Sequence, residues 1–384
     1  MADKLIHSNQ FIDRLNLCKS ALSERRSLPF ECYWEESIHS QEVADIFSNQ
    51  WIGLGRADRL HNVGEYETLE ICGQSLFLIR DQQHTLRLYA NTCRHRGAQL
   101  LKDEGQCLAI SCPFHGWTYA LDGCLKGAKT MSENDHFDFS EYSLFEYKLE
   151  EMSGFLFAFL GGTALSLERQ LGDFKKLHAP WSLDFLVTTR RQDFDVNCNW
   201  KAFLDVFNEY YHLDFVHPSS IGDLYLKPEV QDSTIGDFAS QFGRTSGTGA
   251  LLESEQKSAL PMIDGIVEPW SLGARYTWVF PNMAFAAGKE AVWLYEAYPI
   301  NPNRCHVKQS ICFPQSTTKL ADFEEKSQAY YQRLDAAMDE DITALENQQQ
   351  GLRNSPPLQG RFSKLMEANV ASFANWYATK LTDT

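Results

Sequence analysis

Four residues in two short segments have the types and spacing to hold iron together. Cys93-Arg94-His95 and Cys112-Pro113-Phe114-His115 are separated by the sixteen residues from Arg96 to Ser111. Two thiolates and two imidazoles suit a [2Fe–2S] centre in which histidines replace cysteines on one iron and raise its potential. They also suit a tetrahedral zinc site. Each spacing keeps its Cys and His on one tight loop. Gly97 and Gly116 follow the two histidines, as expected where two loops pack closely.

A second set lies in NCNWKAFLDVFNEYYHLDFVHP, which holds Glu209, His212 and His217. Two histidines and one carboxylate, with open positions for oxygen and substrate, are the ligands of Fe(II) oxygenases. The plain alternative for each His is a core residue satisfied by its neighbours. His212 and His217 are five apart and would sit about 140° apart on a regular helix. For both rings to reach one metal, the helix must widen locally or end before Pro218.

The carboxylate must come from elsewhere. In YYQRLDAAMDEDITALENQQQGL an apolar stripe runs through Leu334, Ala337, Met338 and Leu345, and Asp341 falls within it. An acid in a buried stripe is costly unless it binds a metal or a partner, and Asp339 and Glu340 are expected to point away. A salt-bridged acid at the edge of the stripe is the alternative for Asp341.

The elements that position these residues change character along the chain. Residues 1 to about 40 read as a helix and an extended lead-in, broken at Pro29. From Trp51 to about Leu160, runs such as SLFLIR, LRLYA and GFLFAFL between Gly, Asp and Asn turns read as a small all-β unit. Beyond Leu165 come a helical stretch from Asn199 to His217, then strands RYTWVF, MAFAA, AVWLYEAYP and CHVKQSICF. A long helix from Thr318 to Gln350 follows. Strands grouped and flanked by helices indicate an α+β class rather than alternating βαβ units.

With 35 basic and 51 acidic residues among 384, the formal charge of −16 disfavours nucleic acid and anionic membrane surfaces. The start lacks an apolar signal region and no run approaches the roughly eighteen apolar residues of a membrane span, so a cytoplasmic protein is expected. In that setting the ten cysteines are expected to be reduced, a few of them given to metal. There is no internal repeat. Nor is there a glycine-rich dinucleotide fingerprint, which assigns NAD(P)H and flavin to another polypeptide.

CRHRGAQLL and CPFHGWTYALDG closely resemble the Rieske motif of the ring-hydroxylating oxygenase family, and WIGLGRADRLHNVGEYETLEICG and GFLFAFLGG are similar to its flanks. NWK followed by an acid, Tyr-His and a second His, with a distant Glu-Asp helix ending in Gln-x-Gly-Leu, resembles its catalytic domain. The resemblance spans most of residues 25–377. It implies that Cys93, His95, Cys112 and His115 ligate a [2Fe–2S] cluster, and that His212, His217 and Asp341 ligate a mononuclear Fe(II). It implies a lead-in over 1–44 packed on the catalytic domain, an all-β Rieske domain over 45–165, and a catalytic domain over 166–384. The last would carry an antiparallel sheet flanked by helices, of the helix-grip type. Glu209 takes the place of an acid that, in the family, bridges an iron-ligand His and a cluster-ligand His of the neighbouring subunit in a head-to-tail homotrimer.

By the same resemblance the chain is a terminal oxygenase of the alpha-only kind, using O2 and electrons from a separate NAD(P)H-dependent reductase or ferredoxin. It would hydroxylate or demethylate a small organic substrate, with a quaternary ammonium compound favoured over an aromatic acid taken by mono- or dioxygenation. Trp278, Phe285, Trp293 and Tyr295 are candidates to line the pocket by stacking or cation–π attraction, or else are simply core. A non-catalytic Rieske electron carrier is the rival from another class, and it leaves the second ligand set unexplained.

Overall fold

Apolar runs bounded by turns fold residues 51–159 into an antiparallel sheet of seven strands. Their order is Trp51–Arg56, Phe155–Phe159, Glu146–Met152, Leu86–Ala90, Gln74–Arg80, Glu65–Ile71 and Glu104–Gln106. The computed structural model describes residues 8–134, 136–163 and 165–382, so residues 1–7 of the expected lead-in and the last two of the chain lie outside the described residues. Phe155–Phe159 is buried along its whole length because each face has a partner. Phe155, Phe157 and Phe159 pack with Trp181, Met283 and Phe285, while Leu156 and Ala158 join the core on the other side. A three-stranded ribbon of Ile110–Ser111, Thr118–Tyr119 and Leu125–Gly127 stands apart and frames the second Cys-His loop.

The second sheet has six antiparallel strands in the order Leu186–Val196, Arg304–Pro314, Val292–Asn301, Met283–Ala287, Gly273–Val279 and Phe238–Arg244. Register places Tyr276, Ala286, Trp293 and Ile311 in one row across it, and Trp278, Ala284, Tyr295 and Gln309 in the next. Since side chains alternate between faces, both rows share one face. Ala284 and Ala286 keep it low in the middle, and the helix Trp200–Phe207 lies across it with Phe207 4.7 Å from the Tyr295 ring and 5.4 Å from the Tyr276 ring. The long helix Phe323–Arg353 and the helix Ala368–Thr382 complete the layer.

The stretch expected as one helix over Asn199–His217 is two helices, Trp200–Phe207 and Leu213–Val216. Asn199 caps the first, its side chain accepting from the Lys201 amide. The first ends at Asn208, and the Glu209 carboxylate then accepts from the amides of Tyr211 and His212. That local competition for backbone donors breaks the helix.

Buried side chains of residues 8–44 tie the segment to the helices that cover the second sheet. Tyr33 Oη donates to Asp205 Oδ2 at 2.8 Å. Buried Glu42 accepts from Trp200 Nε1, Tyr377 Oη and the Lys201 ammonium, an ion pair wholly removed from water. All ten cysteines are free thiols, and among the described residues no helix is long and apolar enough to cross a membrane.

Candidate metal centres

The two Cys-His segments adopt the same six-residue loop. In the first, the Cys93 amide donates to Ala98 O and the Gly97 amide to Cys93 O; in the second, Cys112 donates to Trp117 O and Gly116 to Cys112 O. Gly97 and Gly116 take the equivalent place, with φ of +73° and +71°. A Cβ at either would meet nothing within 4 Å. Close packing therefore does not explain these glycines; the left-handed backbone that closes each loop does.

Both thiols point inward, where Cys93 and Cys112 are buried, and both imidazoles point outward, His95 half-buried and His115 exposed. The rings lie 4.7 Å apart, and His95 is stacked on Trp117 at 4.8 Å and 12°. Cys93 Sγ is 3.3 Å from Tyr119 Oη, which also accepts from the Arg94 amide. His95 Nδ1 is buried without a hydrogen bond. Thiols turned inward, imidazoles turned outward and an unpaired His95 Nδ1 suit a two-iron cluster better than a compact four-ligand zinc site.

At the second set, His212 and His217 bracket the one-turn helix Leu213–Val216 as its N-cap and C-cap. This is how two histidines five apart come to face each other without a widened turn; their rings lie 5.1 Å apart at 72°. Asp341 reaches in from the middle of the long helix. Its Oδ1 is 3.1 Å from His217 Nε2 and 3.7 Å from His212 Nε2, and the three donor atoms all lie within 4.8 Å of one another. Such separations fit three ligands bonded at about 2 Å to one cation. Asp341 Oδ1 is buried and makes no hydrogen bond of its own.

Each imidazole has its other nitrogen held by a carboxylate. His212 Nδ1 is 2.5 Å from Glu209 Oε1, and His217 Nδ1 is 2.6 Å from Glu340 Oε2, which also accepts from Ser220 Oγ at 2.6 Å. With Nδ1–H donated to a carboxylate, each Nε2 lone pair faces the shared point, the arrangement that orients metal-binding histidines and raises their basicity. Burial works against a charged His212 ring, but the Glu209 hydrogen bond and the charges of Glu209 and Asp341 outweigh it and hold its pKa above the ordinary value. Three carboxylates around two imidazoles make a pocket that attracts a cation. Glu340, expected to point away, is thus part of the centre; the helix carrying it packs against the loop at 217–220, which brings His217 and Ser220 to its side chain.

A narrow cavity opens beside Asp341, lined among others by Phe207, Tyr210, Tyr225, Tyr276, Tyr295 and Arg333. Of the four aromatic residues expected there, Tyr295 lies on the lining. Trp293 sits one layer behind, under the Arg333 guanidinium and edge-on to Tyr276. Trp278 stacks on Phe373 at 3.9 Å, covered by the C-terminal helix, and Phe285 is on the opposite face with Phe155, Phe174 and His178. Neither reaches the cavity. Tyr225 and Arg333 were not singled out by sequence. Arg333, Ala337 and Asp341 recur at four-residue intervals, a signal that places Arg333 near the same stripe.

Residues 50–147 match the model of the Rieske [2Fe-2S] domain, and residues 177–383 that of the ring hydroxylating alpha subunit catalytic domain. The carnitine monooxygenase oxygenase subunit of Escherichia coli is 28% identical, covering 98% of this chain and 99% of that protein. The glycine betaine monooxygenase oxygenase subunit of Chromohalobacter salexigens is 24% identical over 92% and 85% of the two chains, and the chloroplastic choline monooxygenase of Amaranthus tricolor 25% over 91% and 76%. Among solved structures, the quaternary ammonium Rieske monooxygenase CntA superposes with a TM-score of 0.80 at 23% identity, covering 97% and 98% of the chains. Naphthalene 1,2-dioxygenase from Rhodococcus sp. superposes at 0.81 with 19% identity and the same coverage.

Proposed function

The chain belongs to the ring-hydroxylating alpha-subunit family of Rieske oxygenases, and we propose that its substrate is a small quaternary ammonium compound, which it hydroxylates or demethylates. The observation that carries this is the cavity beside His212, His217 and Asp341, whose lining includes the rings of Phe207, Tyr210, Tyr225, Tyr276 and Tyr295. Such rings attract a trimethylammonium group through their faces. Three relatives named for carnitine, glycine betaine and choline oxidation, similar over most of their length, support the same class.

In this reading the chain divides into a lead-in over 1–44, a Rieske domain over 45–165 and a catalytic domain over 166–384. Cys93, His95, Cys112 and His115 would hold the [2Fe–2S] cluster, and His212, His217 and Asp341 the mononuclear iron. When bound, these groups supply electrons and the activation of O2. The protein's own part is to orient and enclose. Glu209 and Glu340 fix the ring planes of His212 and His217, and the aromatic walls keep water from the reacting carbon.

Glu209 would also accept a hydrogen bond from a cluster histidine of a second copy of the chain, tying one imidazole to another across the interface. Exposed rings beside both centres favour such an assembly. Phe114 is 57% exposed next to His115, and Tyr211 and Phe215 are 61% and 83% exposed next to His212. A homotrimer and a separate reductase complete the system.

The test is O2 uptake by the metal-loaded protein with a surrogate reductase. Carnitine, glycine betaine or choline should stimulate uptake with stoichiometric product. Stimulation by benzoate alone would replace the proposed substrate class with an aromatic acid.

A further inference from the structure

Arg333 is buried in the cavity wall, eight residues before Asp341 on the long helix. The guanidinium donates to Tyr225 Oη at 3.1 Å and lies 5.2 Å over the Trp293 ring, and its Nε has no partner. Among the described residues no carboxylate pairs with it. Asp335, two positions on, faces elsewhere and pairs with Arg190 at 2.7 Å. The carboxylates of Glu209, Glu340 and Asp341 are turned to the two histidines. Arginine does not lose its proton in a protein, so this is a fixed positive charge withdrawn from water without its counter-charge. Buried charges are ordinarily paired.

The cavity therefore carries one uncompensated fixed charge, the planar fork of N–H donors on Arg333, while the carboxylates at the other end surround the candidate metal centre, where a bound cation offsets them. Along the helix the two ends are about 12 Å apart at the backbone, with the small Ala337 between them. A carboxylate is the group that matches a guanidinium fork in charge and geometry.

We infer that Arg333 receives a carboxylate of the substrate, so that the cavity takes betaine-type zwitterions or other acids in preference to amino alcohols. The inference rests on the reading of this cavity as the substrate site. A zwitterion fits the cavity with its anionic group at Arg333 and its cationic head among the rings.

The test uses two matched pairs. Glycine betaine and choline share a trimethylammonium head and differ by carboxylate against hydroxymethyl; benzoate and benzyl alcohol differ in the same way on a ring. L-Carnitine serves as a longer acid. Binding is read by calorimetry and turnover by O2 uptake with product analysis. Within whichever pair is used, the acid should exceed the alcohol in kcat/KM by roughly 30-fold or more. Arg333→Gln should bring that ratio close to one, chiefly by raising KM for the acid, and Arg333→Lys should recover part of it.

If benzoate is used and the ammonium compounds are not, the proposed substrate class falls while the role of Arg333 stands. Preference for choline or benzyl alcohol would overturn the inference, as would an unchanged acid-to-alcohol ratio in Arg333→Gln, or failure of all three acids to bind at millimolar concentration.

Discussion

His217 Nδ1 lies 2.6 Å from Glu340 Oε2 while its Nε2 lies 3.1 Å from Asp341 Oδ1, so two consecutive residues of one helix grip opposite edges of a single imidazole. Successive helical side chains diverge by about 100°, and His217 occupies the angle between them. Replacing Glu340 by Ala removes the group that orients the ring. It should weaken mononuclear iron retention roughly 10- to 100-fold and leave the [2Fe–2S] absorbance intact. Chelator titration with iron analysis checks this, and wild-type retention would show that Glu340 does not orient the ligand.

Glu209 stands in the same relation to His212, but it also faces exposed surface. Glu209→Gln keeps an acceptor for the ring and removes the charge. Both metal centres should fill while turnover drops by roughly 100-fold. Normal turnover would remove Glu209 from the link between copies of the chain.

The Glu42–Lys201 pair, tied to Trp200 and Tyr377, fastens residues 36–47 to the helix that leads to Glu209. Lys201→Met leaves a carboxylate buried without its cation and should cost about 3–5 kcal/mol in urea unfolding. Lys201→Met with Glu42→Gln together should cost less than Lys201→Met alone, because no uncompensated charge remains.

Glu296 is buried where the second sheet meets Gly55 of the first, its Oε1 without a hydrogen bond, and burial pushes its pKa up to about 7 despite the nearby cations of Arg59, Lys308 and Arg191. The folded form therefore keeps a proton that the unfolded chain releases near its ordinary value of 4.5. This contribution to stability is complete below that value and is lost as pH rises through about 7. Glu296→Gln should flatten the decline in urea-unfolding free energy between pH 5 and 8, by on the order of 3 kcal/mol at most. A decline of wild-type steepness in the variant would assign it to other groups.

Local spacing made the cluster loops legible, since both ligands of each loop lie within four residues and the loop is its own scaffold. Asp341 was legible because a helix stripe is periodic. Glu340 was not, because a polar residue off the stripe reads as solvated until the loop at 217–220 is known to pack against it. Strand patterning offers Trp278 as a pocket candidate but cannot say which helix covers it, and the C-terminal helix does. Phe285 belongs to the opposite face, where the first sheet's phenylalanines meet it. The break at Asn208 came from a side chain competing for backbone amides, a contest that apolar periodicity does not record.

Iron and acid-labile sulfide counted on anaerobically loaded protein, with the same count on His212→Ala, test the two-centre arrangement most directly. About three irons and two sulfides per chain are expected, falling to about two irons and two sulfides in the variant. Two irons in both proteins, or zinc in place of iron at Cys93, His95, Cys112 and His115, would contradict it.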